Sequence, residues 1–279
     1  MSTRPGREVW VSAGEQLGCG AVSSTQSRPA ESADGSLHSR GVACVIPAKD
    51  EAERIAATVG SALKIDGVDL VVVVDDGSTD RTAQVAEQAG AVVVGHRANL
   101  GKAAAMETGA VAVAGRDGAG PARHLLFLDA DLADSAAGAE PLIAPVQAGE
   151  ADMTIGTLPA QVRPDGSRAG GHGFVVRLAR AGIERATGWA PEQPLSGQRC
   201  LTREAFDAAV PLAGGFGVET ALSIDLGRKG FRIVEVPIDV RHRATGTDLR
   251  GQMHRGKQFL HVRRALAARG AMPPLRVLR

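Results

Sequence analysis

Short apolar runs closed by Asp, Gly or Pro recur along the first half of the chain, separated by amphipathic stretches. The runs are Gly41–Pro47, Asp69–Val74, Ala91–Gly95, His124–Leu128 and Ala151–Gly156. A run such as Val71–Val74, apolar at every position, predicts a strand covered on both faces. Between the runs, an acidic first turn at Asp50-Glu51 opens a predicted helix carrying Ile55, Val59, Leu63 and Ile65. A second helix extends to about Gly90. An Ala-rich third spans Gly101–Ala114, entered through Asn99-Leu100-Gly101-Lys102. This alternation predicts an α/β fold: a doubly wound, mostly parallel sheet with helices on both faces.

The rhythm breaks after Gly156. Thr157–Gly173, rich in Gly, Pro and charge, reads as a mobile loop over the sheet rim. Phe174–Thr187 predicts an amphipathic helix, Leu195–Leu201 a short strand, and Thr202 caps a helix to about Ala209. Gly214–Gly217 is a flexible turn into a helix over Val218–Arg228. Phe231–Val240 predicts a strand, and Gly251–Arg269 a basic amphipathic helix. Residues 1–40 are polar and aperiodic and read as a largely disordered tail, with Trp10-Val11 the one apolar pair able to dock. The expected division is a tail (1–40), a nucleotide-binding half (41–156), an acceptor-side half of the same domain (157–249) and a basic helix with its tail (250–279).

Composition narrows the function. A net charge of +1, few aromatics and no Tyr leave neither the basic field nor the stacking platforms that nucleic acid requires, so none is expected as a partner. Three cysteines without CxxC spacing argue against a disulfide framework or zinc site and fit a reducing cytosol. No apolar run reaches the roughly 18 residues of a membrane span, and the N-terminus lacks a signal-peptide core, so a cytoplasmic location is expected.

The candidate chemistry lies at the strand ends. Ligands of open parallel sheets sit at the carboxyl ends of strands. Asp75, Asp76, Asp129 and Asp131 should therefore crowd one rim, where four carboxylates require a cation or ligand among them. Turn formation and helix capping account for Asp80 and Ser78 but not for the DxD as well. A DxD at a strand end suits Mg²⁺ or Mn²⁺ holding a diphosphate. The P-loop alternative fails on spacing and on Ala103, and no dinucleotide fingerprint follows the first strand.

Pro47-Ala48-Lys49-Asp50-Glu51, Val74–Asp80, Asn99-x-Gly101-Lys102 and Asp129-x-Asp131 together resemble the family-two glycosyltransferases of the GT-A fold. That resemblance implies a nucleotide-sugar donor site formed by Pro47, Ala48, Lys49, Glu51, Asp76, Gly77, Lys102 and Asp129. In it Glu51 reaches the ribose, Asp76 the base, Lys102 runs along the nucleotide, and Asp131 ligates the metal. Asp50 stands where the family has Asn. Gly215–Glu219 and Val240–Arg243 further resemble the glucosyl-3-phosphoglycerate synthase branch, which implies Glu219 facing sugar and acceptor and His242 as a further metal ligand. Glu219 and Lys102 are then the candidate catalytic residues, and Gly197 and Arg199 the acceptor-side ones.

Plainer readings stand beside these. Glu219 is also a dipole-favoured helix-start carboxylate, Lys102 a solvated lysine, His242 a polar residue of a basic loop, and Arg199 a surface ion-pair partner. Gly170–Gly173 replaces the Arg and Thr with which that branch grips phosphoglycerate. The implied reaction is hexose transfer, glucose from UDP-glucose, to a small anionic acceptor such as 3-phosphoglycerate. A polyprenyl-phosphate acceptor is the alternative within the family, with the basic C-terminal helix peripheral at the inner membrane face or packed on its own domain. A homodimer is compatible with the chain. Outside the class, a sugar-1-phosphate nucleotidyltransferase would need a basic Gly-rich loop after the first strand, and a non-catalytic nucleotide-sugar-binding protein would lack the metal ligands.

Overall fold

The computed structural model describes residues 9–11, 41–118, 120–158, 161–162, 168–169, 173–241 and 249–274. Strand β1 (Val9–Val11) lies within the expected tail. Then β2 (Val42–Ala48), α1 (Ile55–Ala62), β3 (Val68–Asp76), α2 (Thr82–Gln88), β4 (Val92–His96), α3 (Lys102–Asp117) and β5 (His124–Phe127) alternate as the pattern predicts. A 3₁₀ stretch (Ala133–Leu142), the short α4 (Ala144–Gln147) and β6 (Met153–Thr157) follow. The expected loop 157–173 contains a two-stranded hairpin of β7 (Gln161–Val162) and β8 (Arg168–Ala169). Next come α5 (Phe174–Thr187), β9 (Arg199–Leu201), α6 (Arg203–Ala209), a 3₁₀ turn (Gly215–Gly217), α7 (Val218–Arg228), β10 (Ile233–Pro237) and α8 (Leu249–Ala268).

Eight strands form one sheet in the order β1-β4-β3-β2-β5-β9-β6-β10, parallel except for β1 and β9. Alternate residues of the central strands face opposite layers. Cys44, Ile46, Val71 and Val73 meet α1, α2 and the 3₁₀ stretch, whereas Val45, Val72, Val74 and Phe127 meet α3, α6 and α7. This two-sided cover makes the strands apolar throughout, each fully buried branched side chain contributing about 1.5–3 kcal/mol. Gly109 lets α3 lie close on the sheet: a Cβ there would come within 2.3 Å of Val45. A third cluster joins Leu178, Ile183, Ile224, Val262 and Leu266, packing α8 onto α5 and α7.

Three expectations are corrected. The first helix starts at Ile55 and not at Asp50-Glu51, because Asp50 holds φ +54°. The strand expected over Leu195–Leu201 is confined to Arg199–Leu201, and that over Phe231–Val240 to Ile233–Pro237. Within the expected tail Trp10-Val11 docks, as the sequence allows: Val9–Val11 pairs antiparallel with β4. The seat for this strand is Gly95: an added Cβ would sit 2.4 Å from the Trp10 ring. Gly95→Ala should therefore expel Trp10 while leaving the rest of the sheet in place. Acrylamide quenching of tryptophan emission should rise, with Trp10→Phe identifying the signal. Unchanged quenching would show that the strand is not seated there. Cys44 and Cys200 are free and buried, and burial raises both thiol pKa values, Cys200 to about 12.

Candidate active site

Because β2, β3, β4 and β5 are parallel, their carboxyl ends share one rim. Ala48 is level with Asp75, and Asp76 with His96. The loops leaving β2 and β3 clamp each other. Asp50 N–H donates to Ser78 Oγ (2.9 Å), Glu51 N–H to Thr82 Oγ1 (2.8 Å) and Ala52 N–H to Asp80 Oδ2 (3.1 Å). In return Thr79 N–H donates to Asp50 Oδ1 at 2.7 Å. Lys49 Nζ reaches Asp50 Oδ2 and the Gly77 carbonyl. The hydrogen bond from the Lys49 ammonium, then that from Thr79 N–H, lowers the Asp50 carboxyl pKa to about 2. Gly77 is required here: it has φ +69°, and a Cβ would strike the Ala98–Asn99 backbone at 2.7–2.9 Å.

Asp76 is buried and oriented from three sides. Oδ1 accepts Leu100 N–H (2.7 Å) and faces His96 Nδ1 (2.8 Å), while Oδ2 accepts Gly101 N–H (2.8 Å). His96 is itself buried and fixed through Nε2 to Thr108 Oγ1. A carboxylate has about four acceptor sites, so Oδ2 keeps one for a ligand donor.

Lys102 begins α3, where a cation opposes the helix dipole. Two carboxylates offset this: Asp129 Oδ1 lies 2.7 Å from Nζ and Glu219 Oε1 3.0 Å. Burial pulls the Lys102 pKa down, but these two charges more than reverse it, and the ammonium is held protonated. Glu219, in the first turn of α7, is buried, so its role is tied to Lys102 as well as to the helix dipole. Gln198 Nε2 donates to Asp129 Oδ2 at 2.8 Å. Gly197 lies against the same pair, its missing Cβ 2.6 Å from Lys102 Nζ.

Arg199 does not face an acceptor. It is 1% exposed. Its guanidinium donates to Ser196 O, Pro194 O and Ser223 Oγ. Burial lowers its pKa to about 10, against the favourable fields of Glu219 and Glu235, so it remains charged at neutral pH. The acceptor role expected of it is withdrawn; it braces the segment behind the site.

Pro47, Ala48, Lys49, Asp76, Lys102 and Asp129 line a cavity of about 470 Å³, closed on its other side by Gly215, Phe216, Lys257 and His261. A larger cleft of about 690 Å³, near Gly138 and Asp239, gathers none of these residues. Glu51 lies on the clamped loop beside the cavity. Gln198, His96, Lys257 and His261 are not among the site residues expected from the sequence. The signals that could have found them are slight: Gln198 follows Gly197, and Lys257 and His261 are one helical turn apart.

Asp131 is half-buried on the turn after β5, and Arg54 donates to its carbonyl. His242 lies outside the described residues. The chain reaching it is anchored, however: Arg241 N–H donates to Ser135 Oγ at 2.9 Å, four residues past Asp131. Among the described residues no three His, Cys, Asp or Glu side chains cluster as a metal site. Carboxylate oxygens of the DxD suit a hard divalent cation. No helix among the described residues is long and apolar enough to cross a membrane.

A doubly wound sheet with paired carboxylates on one rim, a lysine held between Asp129 and Glu219, and a cavity opening between them is a fold of the GT-A class. The family model described as Glycosyl transferase family 2 matches residues 43–207, and the chain belongs to that family. The resemblance read from the motifs is thereby borne out. The chain is 33% identical over 213 residues to Glycosyltransferase AglJ of Haloferax volcanii, covering 74% of this chain and 65% of that protein. It is also 33% identical over 224 residues to glucosyl-3-phosphoglycerate synthase of Mycolicibacterium paratuberculosis, covering 72% and 65%. The matched region thus spans just under two thirds of each of these relatives. The crystal structure of glucosyl-3-phosphoglycerate synthase from Mycobacterium tuberculosis, in complex with Mn²⁺, UDP and phosphoglyceric acid, superposes with a TM-score of 0.67. Identity there is 26%, over 90% of this chain and 86% of that one.

Proposed function

We propose that the protein is a metal-dependent glycosyltransferase that moves a hexose, glucose from UDP-glucose, to a small anionic acceptor such as 3-phosphoglycerate. The observation that carries this reading is the Lys102 ammonium, held protonated between Asp129 and Glu219 in the cavity beside Asp76. Asp76, with one acceptor site open, takes an N–H of the base. Asp129 takes ribose hydroxyls, exchanging part of its contact with Lys102 and Gln198. The freed portion of the Lys102 charge then faces the diphosphate as negative charge builds on the leaving group. Glu219 accepts from sugar or acceptor hydroxyls. Asp131, with His242, would hold Mg²⁺ or Mn²⁺, which supplies Lewis-acid charge at the diphosphate when bound. The likeness to the phosphoglycerate-bound synthase supports the acceptor class.

A polyprenyl-phosphate acceptor is the second reading. It is favoured by Leu260, 47% exposed on α8 beside exposed Arg263 and Arg264, a surface able to meet anionic lipid.

The test follows nucleoside diphosphate release from a panel of UDP- and GDP-sugars with Mn²⁺, Mg²⁺ or EDTA, with and without 3-phosphoglycerate. Release from one donor, abolished by EDTA and accelerated by 3-phosphoglycerate, is expected. Metal-dependent release indifferent to 3-phosphoglycerate would transfer the acceptor assignment to lipid phosphates. No release from any donor would overturn the transferase reading.

A further inference from the structure

We infer that Lys257 and His261, one turn apart on α8, form an anion subsite at the mouth of the cavity that takes the phosphate of the acceptor. The inference rests on the transferase reading above and adds to it the residues that receive the second substrate. Three lysines line the cavity: Lys49, Lys102 and Lys257. Lys49 is bound to Asp50 and the Gly77 carbonyl, and Lys102 to Asp129 and Glu219. Lys257 is exposed and pairs with no carboxylate among the described residues. With Arg199 buried behind the site, Lys257 is, among the described residues, the lining lysine left to meet an incoming anion.

His261 is built to assist it. Its Nδ1 accepts Phe216 N–H at 3.2 Å, and its ring stacks on Phe216 with centroids 5.6 Å apart. A ring whose Nδ1 accepts carries its proton on Nε2, so the neutral imidazole offers a donor edge. The contact is shaped by the turn below it. Gly215, at φ +70°, would put a Cβ 2.3 Å from His261 Nδ1, and Gly217 one 2.7 Å from the His261 carbonyl. The Gly-Phe-Gly turn thus admits α8 against the cavity. The donor's needs are met on the opposite wall, by Asp76, Asp129 and Lys102, which leaves the α8 wall to the acceptor.

Calorimetry on the full chain tests this, first with UDP and Mn²⁺, then titrating the UDP–Mn²⁺ complex with 3-phosphoglycerate or with a polyprenyl monophosphate in detergent. One of the two anions should bind wild type, and which one distinguishes a free phosphate from a lipid headgroup. Lys257→Ala should weaken that anion about tenfold, the order of one charge-assisted hydrogen bond, and Lys257→Arg should restore most of it. His261→Asn, which removes the Nε2 donor, should weaken it less. Lys257 is exposed, so its variants leave the packing intact. The inference is overturned if neither anion binds the UDP-loaded protein, or if Lys257→Ala weakens UDP and spares the anion. Failure of wild type to bind UDP with Mn²⁺ would instead sink the transferase reading on which it rests.

Discussion

Lys102→Met is expected to lower the proposed hexose transfer about 10²–10³-fold, the range seen when one preorganised electrostatic group is removed from a reaction centre. The geometry makes the loss large. Lys102 lies 2.7 Å from Asp129 and 3.0 Å from Glu219, so its removal leaves two carboxylates facing each other without a cation. Uncompensated, the two carboxylates repel the donor's diphosphate. Donor KM should rise together with the fall in kcat. Lys102→Arg should not rescue, because Nζ already sits 2.7 Å from Asp129 and 3.0 Å from Glu219, and a longer planar guanidinium cannot reproduce both contacts. Steady-state kinetics on both variants check this. Activity within tenfold of wild type in the methionine variant would remove Lys102 from the reaction centre.

The second large effect is on stability. Arg199→Leu should cost about 3–5 kcal/mol, the scale for breaking a buried charged network by removing one partner. Ser196 O, Pro194 O and Ser223 Oγ each lose a donor. A fall in Tm on the order of 10 °C follows from the usual relation of free energy to melting temperature in larger domains. Thermal unfolding followed by circular dichroism measures it. A Tm within about 2 °C of wild type would mean that the guanidinium is dispensable, and that its burial says little about how the site is held.

These two residues mark the limits of reading the chain directly. Lys102 was legible because it belongs to a spaced motif, and the strand-ending carboxylates because parallel strands covered on both faces announce themselves as unbroken apolar runs. Arg199 was misleading for the opposite reason. A charged residue in a short polar segment resembles a surface residue until β9 is inserted between β5 and β6, where the arginine becomes part of the core. The start of α1 was displaced because the N–H groups after Lys49 bond to Ser78, Asp80 and Thr82, partners some thirty residues away that no local pattern encodes. Strand β1 shows the same dependence. Three residues are too few for a period, and the feature that seats them is the absence of a side chain at Gly95. His96 and His261 have no motif at all: each acquires its role from a contact, to Asp76 and to Phe216 respectively.

The packing of α8 against the Gly215–Gly217 turn has a consequence for how the cavity is assembled and altered. One wall comes from residues 47–129 and the other from residues 215–261, so the cavity remains a half-open shelf during synthesis until residues 215–261 have emerged. With the roles proposed above, donor capture and acceptor choice fall in separate lengths of polypeptide. Exchanging the outward residues of α8, while keeping Val262, Ala265 and Leu266 as its anchor, offers a way to redirect the acceptor without rebuilding the nucleotide side.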